Sequence, residues 1–128
     1  MNREIKFRVW DGVKICGVRL IEFADDGVVI TKDDSYFGYL GSDFEFMRYT
    51  GLKDKNGQEI YEGDILQDFH KKTEEPITRV KVYWNDGFWD GEPLKGERYK
   101  TCYAGFKRCK VIGNIYENPE LVDDGWIA

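Results

Sequence analysis

The segment 49–65, Tyr-Thr-Gly-Leu-Lys-Asp-Lys-Asn-Gly-Gln-Glu-Ile-Tyr-Glu-Gly-Asp-Ile, constrains the backbone more tightly than any other stretch of the chain. Asn56-Gly57 predicts a tight turn, because both residues tolerate positive φ. Gly63-Asp64 ahead of Ile65-Leu66 predicts a strand entrance, with the Asp64 carboxylate accepting the backbone N–H bonds that fix the turn. Asn56, Gly57, Gly63 and Asp64 are therefore read as structural turn residues. They set backbone shape and bring no reactive constellation.

On either side of this segment the apolar pattern has the period of strands. Ile5, Phe7 and Val9 alternate with Lys6, Arg8 and Trp10, which predicts a strand over 4–10 ending at Asp11-Gly12. Residues 13–23 return antiparallel with a candidate bulge at Gly17, and Asp26-Gly27 turns the chain into 28–31, completing a β-meander. Residues 36–49 are rich in aromatics but broken by Gly38 and Gly41, and predict an irregular stretch followed by a strand over 44–49. Further strands are expected from Ile65, over 78–84 and over 106–116, the last bent at Gly113. Residues 71–76 and 90–96 read as loops. Asn118, Pro119 and Glu120 predict the start of a short helix, with Gly125 as its stop. The expected fold is all-β with a minor α component. An N-terminal meander subdomain, 1–48, serves self-association and packs on a small SH3-like barrel subdomain, 49–128, that ends in the helix.

Nineteen basic against 24 acidic residues give a net charge of −5, which argues against nonspecific attraction to polyphosphate as the main activity. The charge is unevenly placed: residues 21–47 carry seven acids and one base, residues 95–110 six bases and one acid. Such blocks can complement one another within a chain or between copies, or can be ordinary solvated faces. No apolar run approaches the length of a membrane span, and the N-terminus lacks the apolar core of a signal peptide. Cys16, Cys102 and Cys109 leave an odd thiol under any internal pairing, so free thiols in a reducing, cytoplasmic compartment are expected.

His70 is the single histidine, and Cys102 and Cys109 lie too far apart for a zinc knuckle, so neither metal nor cofactor is expected. Nothing in sequence aligns His70 with a cysteine and an orienting group. Glu59, Glu62 and Asp64 cluster closely enough to suggest acid/base work or a hard-cation site, though turn-fixing by Asp64 with Glu59 and Glu62 solvated is the stronger reading. A small hydrolase using carboxylates or a thiol is the last-ranked function. Arg98, Lys100, Lys107, Arg108 and Lys110 interleave with Tyr99, Tyr103 and Phe106, the residue mix of a single-stranded nucleic-acid platform or a partner contact. Strand alternation would equally put the aromatics in the core and the cations in solvent. Trp84, Phe88 and Trp89 flank Asn85-Asp86-Gly87 and are candidate interaction aromatics, at least one of them a core anchor.

Three blocks, Arg3-Glu4-Ile5-Lys6-Phe7-Arg8-Val9-Trp10-Asp11, the 49–65 segment, and Val111-Ile112-Gly113-Asn114-Ile115-Tyr116-Glu117-Asn118-Pro119-Glu120-Leu121, resemble the YopX-like proteins of bacteriophages and prophages in content and order. The resemblance leaves out 12–47 and 66–105. It implies a small, mostly β, phage-encoded protein that associates with itself, and it brings no reaction or catalytic motif. The function expected is that of a noncatalytic accessory protein in the bacterial cytoplasm, a homo-oligomeric interaction module whose further partner is a phage or host protein. Nucleic-acid binding is the alternative.

Overall fold

The computed structural model describes residues 5–94 and 106–123. The chain divides into two compact units, Met1–Tyr49 and Thr50–Ala128. In the first, β1 (Phe7–Trp10), β2 (Ile15–Ala24), β3 (Gly27–Lys32), β4 (Phe37–Tyr39) and the start of β5 (Glu45–Lys53) form an antiparallel sheet in the order β4-β3-β2-β1-β5. The meander is present as its alternation predicted. Its bulge falls at Arg19, between Val18 and Leu20, and not at Gly17, which pairs in register with Arg8. Gly17 instead lies under the exposed Asp33 carboxylate, which would have to shift to admit a Cβ there. Val9, Ile30 and Phe44 are the buried centre of this unit, with Cys16, Val18, Ile21 and Phe46 packed around them.

The second unit continues β5 into a hairpin with β6 (Glu59–Tyr61), followed by β7 (Asp64–Phe69), β8 (Pro76–Trp84), β9 (Trp89–Pro93) and β10 (Cys109–Asn114). The last four form an antiparallel sheet in the order β10-β7-β8-β9. Ile60, Leu66, Val80, Val82, Phe106 and Cys109 make its core, and Leu52, Trp89 and Val111 pack against it. Residues 90–93, expected as loop, are ladder residues of β9. Gly91 lies so close beneath Val80 that a Cβ would reach its Cγ2 at 2.8 Å, and Pro93 is tolerated because β9 is an outer strand. Two short-range signals hid a strand here because both have sheet-edge uses.

The register of β10 shifts between Val111 and Gly113, the bend predicted at that glycine. A Gly113 Cβ would lie 2.4 Å from Asn118 Oδ1, which accepts from Asn114 N at 3.1 Å. Asn118 thus ties the last residue of β10 to the turn at 115–118 and does not cap the helix as expected. That helix, α1 (Glu120–Asp123), is a single turn, and Gly125 lies outside the described residues. No helix among the described residues is long and apolar enough to cross a membrane.

Candidate interaction surfaces

The 49–65 segment builds a turn with a buried carboxylate at its centre. Asp54 Oδ1 accepts from Asn56 N (2.8 Å) and Gln58 N (2.9 Å), while Asp54 N donates to Gln58 O (2.8 Å). Gly57 takes φ 83°, but Asn56 stays at negative φ, so the turn uses one left-handed residue where two were expected. With Gly57 N donating to Asp54 O at 3.0 Å, this is a three-residue connection closed by a glycine bulge. The other carboxylate oxygen reaches across the unit: Asp54 Oδ2 accepts from Val111 N at 2.9 Å, and Lys55 N donates to Cys109 O at 2.9 Å. The turn thereby occupies backbone positions on the outer edge of β10 that would otherwise invite strand addition. Gly63 (φ 87°) donates its N–H to Val82 O and accepts at its carbonyl from Ile115 N, and Asp64, 1 % exposed, accepts from Tyr61 N at 2.8 Å. Asp64 is a turn-fixing group, as its position after a glycine implied.

Trp84 and Trp89 sit directly opposite across β8 and β9, ring centroids 5.0 Å apart at 71°. Asn85 N donates to Phe88 O at 2.8 Å, and Asp86 (φ 44°) and Gly87 (φ 119°) make a two-residue turn of the mirror-image type. The tryptophans therefore occupy the next, closer-spaced pair, where an edge-to-face contact holds the hairpin end together. Trp89 also packs on the core, while Trp84 and Phe88, 44 % and 46 % exposed, are the outward members of the three.

Lys107, Arg108 and Lys110 are exposed at the start of β10, and Arg98 and Lys100 lie outside the described residues. Arg108 Nε stands 3.8 Å from Asp68 Oδ1. Lys55, carried by the turn to the same end of β10, places its ammonium 4.5 Å from the centre of the Phe69 ring. The chemistry-bearing groups are dispersed. His70 Nδ1 accepts from Lys72 N and Thr73 N and so shapes its loop; the buried Cys109 thiol faces Asp68 Oδ1 at 3.8 Å; Tyr61 Oη donates to Glu59 Oε1 at 3.5 Å. Among the described residues no three His, Cys, Asp or Glu side chains converge to hold a metal.

Two features of the first unit escaped the sequence reading. Lys32 is nearly buried, with Nζ 3.0 Å from Asp11 Oδ2, 3.6 Å from Asp34 Oδ2 and 5.7 Å from the ring centres of Tyr36 and Phe44. The Lys14 N–H, the Lys32 ammonium and the Val13 N–H together hold the Asp11 carboxyl well below the usual aspartate range. The same ion pair raises Lys32, while burial and the neighbouring carboxylate raise the Cys16 thiol, whose Sγ lies 3.4 Å from Asp11 Oδ2. This pair closes the β1–β2 turn onto β3. Nothing in the spacing of 11, 16 and 32 marked it, since it depends on the register of three strands.

The second feature is a sheet face whose large side chains are exposed around a buried Thr31. Pairing places Leu20, Thr31 and Phe37 in one row and Glu22, Val29 and Tyr39 in the next, all on the side of the sheet away from Ile30. Leu20 is 46 %, Phe37 74 % and Tyr39 38 % exposed. The edge beside this face is closed by the chain itself: Asp43 Oδ2 accepts from Tyr39 N at 2.7 Å, and Asp43 N and Phe44 N donate to Tyr39 O.

With both units described, the chain can be set beside known proteins. The model of the YopX protein family matches residues 6–123. The chain belongs to the YopX family. The match takes in 12–47 and 66–105, so family likeness extends well beyond the three blocks that first suggested it. Protein EF1440 from Enterococcus faecalis is similar in structure, with a TM-score of 0.64 at 29% identity over 94% of this chain and 99% of that one. Protein yopX from Bacillus subtilis has a TM-score of 0.58 at 19% identity, over 91% of this chain and 95% of its own, a likeness of fold. A search of curated proteins finds no match.

Proposed function

We propose that this YopX-family chain is a noncatalytic phage or prophage accessory protein that works in the bacterial cytoplasm as a homo-oligomeric interaction module. The observation that carries the reading is the side of β2, β3 and β4 away from Ile30, where Leu20, Phe37 and Tyr39 are 46 %, 74 % and 38 % exposed. Exposed apolar area gathered on one face is characteristic of interaction sites. Closure of the β4 edge by Asp43 favours contact through the face rather than by strand addition. The test is light scattering of the full chain at micromolar concentration and physiological salt. An oligomer is expected for the wild type and a monomer for Leu20→Ser/Phe37→Ser; a monomeric wild type would refute the reading.

Exposed Lys107, Arg108, Lys110 and Lys55 at one end of β10 give nucleic acid as the second reading. Against it, Arg108 is already held by Asp68, and the ring nearest the cations, Phe69, is covered by Lys55 where a stacked base would sit. Absence of any mobility shift of single- or double-stranded DNA or RNA at low salt disposes of it.

A further inference from the structure

The apolar face leaves two surfaces of opposite charge unused. The first is the end of β10, where Lys107, Arg108 and Lys110 are exposed and the Lys55 N to Cys109 O bond brings a fourth exposed cation beside them. The anion next to them is Asp68, 2 % exposed, whose Oδ1 already accepts from Phe69 N. It pairs with Arg108 at 3.8 Å, and Lys55, Lys107 and Lys110 remain exposed around it. The second is the tip of the β2–β3 hairpin. Phe23 is there, 86 % exposed, with Glu22, Asp25 and Asp26 exposed on either side of it. Across the described part of the first unit, Glu22, Asp25, Asp26, Asp33, Asp34, Asp43 and Glu45 are exposed, against the two exposed cations Lys14 and Arg19. The charged residues of both surfaces are exposed to solvent.

Resting on the self-association reading, we infer that a second, polar contact joins copies of this chain, in which the basic end of β10 in one copy receives the acidic, phenylalanine-bearing β2–β3 tip of the next. Copies of net charge −5 repel on average, so attraction requires this orientation, in which a strongly basic surface meets a strongly acidic one. The exposed Phe23 ring supplies apolar area between the carboxylates, and the Lys55 and Lys110 stems supply apolar surface to receive it. The contact joins two different patches, so it is heterologous: it propagates to a ring or a filament and does not stop at two copies. It is also distinct from the face of Leu20 and Phe37, and an assembly can use both.

Sedimentation of the full chain at about 50 mM and about 500 mM salt separates the two contacts, since screening falls on the ionic one. The wild type is expected to form larger species at low salt than at high salt. Lys107→Glu/Lys110→Glu, and separately Asp25→Lys/Asp26→Lys, should each weaken the salt-sensitive step by about tenfold or more. An equimolar mixture of the two variants should recover it, because each mismatched tip then finds a matching patch. Unchanged size for both variants at both salts overturns the inference. So does loss of DNA binding in Lys107→Glu/Lys110→Glu with assembly intact, which would assign the patch to a polyanion. A high-salt oligomer without any salt dependence refutes this contact alone. A high-salt monomer that still assembles at low salt through the reversible charge pair refutes the apolar-face contact alone.

Discussion

Strands β2 and β7 belong to the same chain and the same class of antiparallel sheet, yet one has none of its ten residues buried and the other has five of its six. In β7 both faces are covered: Leu66 points into the core with Val80 and Val82, while Asp64, Gln67 and Asp68 are inside and bonded to backbone. β2 puts Ile21 toward Ile30 and turns Leu20 and Glu22 to the open side. The contrast shows where each unit gets its stability. The second buries both sides of its central strand β7, whereas the first holds its strands by one small core and an ion pair and leaves Leu20, Phe37 and Tyr39 exposed on one face.

Substitutions in the two units should therefore differ in kind. Leu66→Ala, in the fully buried strand, should cost about 2–5 kcal/mol in denaturant unfolding. Asp54→Ala removes the acceptor of Asn56, Gln58 and Val111 N–H groups and should cost about 2–3 kcal/mol; it should also speed amide exchange at Val111, and slow exchange there in the variant would show that the turn does not seal β10. The Asp11–Lys32 pair makes the first unit sensitive to pH. Because Asp11 is depressed below its ordinary 3.8 in the folded chain, its contribution is complete above that value and is lost as pH falls below it; Lys32, raised above 10.5, sets the upper bound of the window. Thermal unfolding followed by fluorescence should show an acid-side decline that Asp11→Asn lacks. Leu20→Ala should change the stability of the dissociated chain least, by about 0.5 kcal/mol or less, and show its effect in association. A loss as large as that of Leu66→Ala would mean that the face is covered within the chain, and the contrast between the units would fail.

Local signals carried much of the fold. Alternation gave β1 and β8, the Asp-Gly signal at 26–27 gave the turn region ahead of β3, Asn85-Asp86-Gly87 gave the end of β8, and Gly113 gave the bend in β10. What was missed turns on partners far away in sequence. Gly17 and Gly91 look like bulge and loop residues until Asp33 and Val80 are seen against them, and Asn118 looks like a helix cap until Asn114 N is seen to take its oxygen. Of Trp84, Phe88 and Trp89, read as candidate interaction aromatics with at least one core anchor, sequence could not say that Trp84 and Trp89 face each other, because it does not give the hydrogen-bonding phase of the hairpin. The open face of β2 to β4 was invisible for the same reason. Leu20 lies on β2 and Phe37 and Tyr39 on β4, and only register places them on one side of the sheet, where they are exposed. Of the basic group, the sequence showed the density of charge but not that Lys55 joins it through the turn.

The bond from Asp54 to Val111 spans 57 positions. A chain emerging from the ribosome has its aspartate turn long before the strand that turn will guard, and β7 must wait for β10 with its own flank bare. Formation of the second unit is thus a late, non-local event, slow by the standard of hairpins whose partners adjoin. For that interval the newly made chain leaves one edge of β7 unpaired, and unpaired strand edges are where incompletely folded chains misassemble.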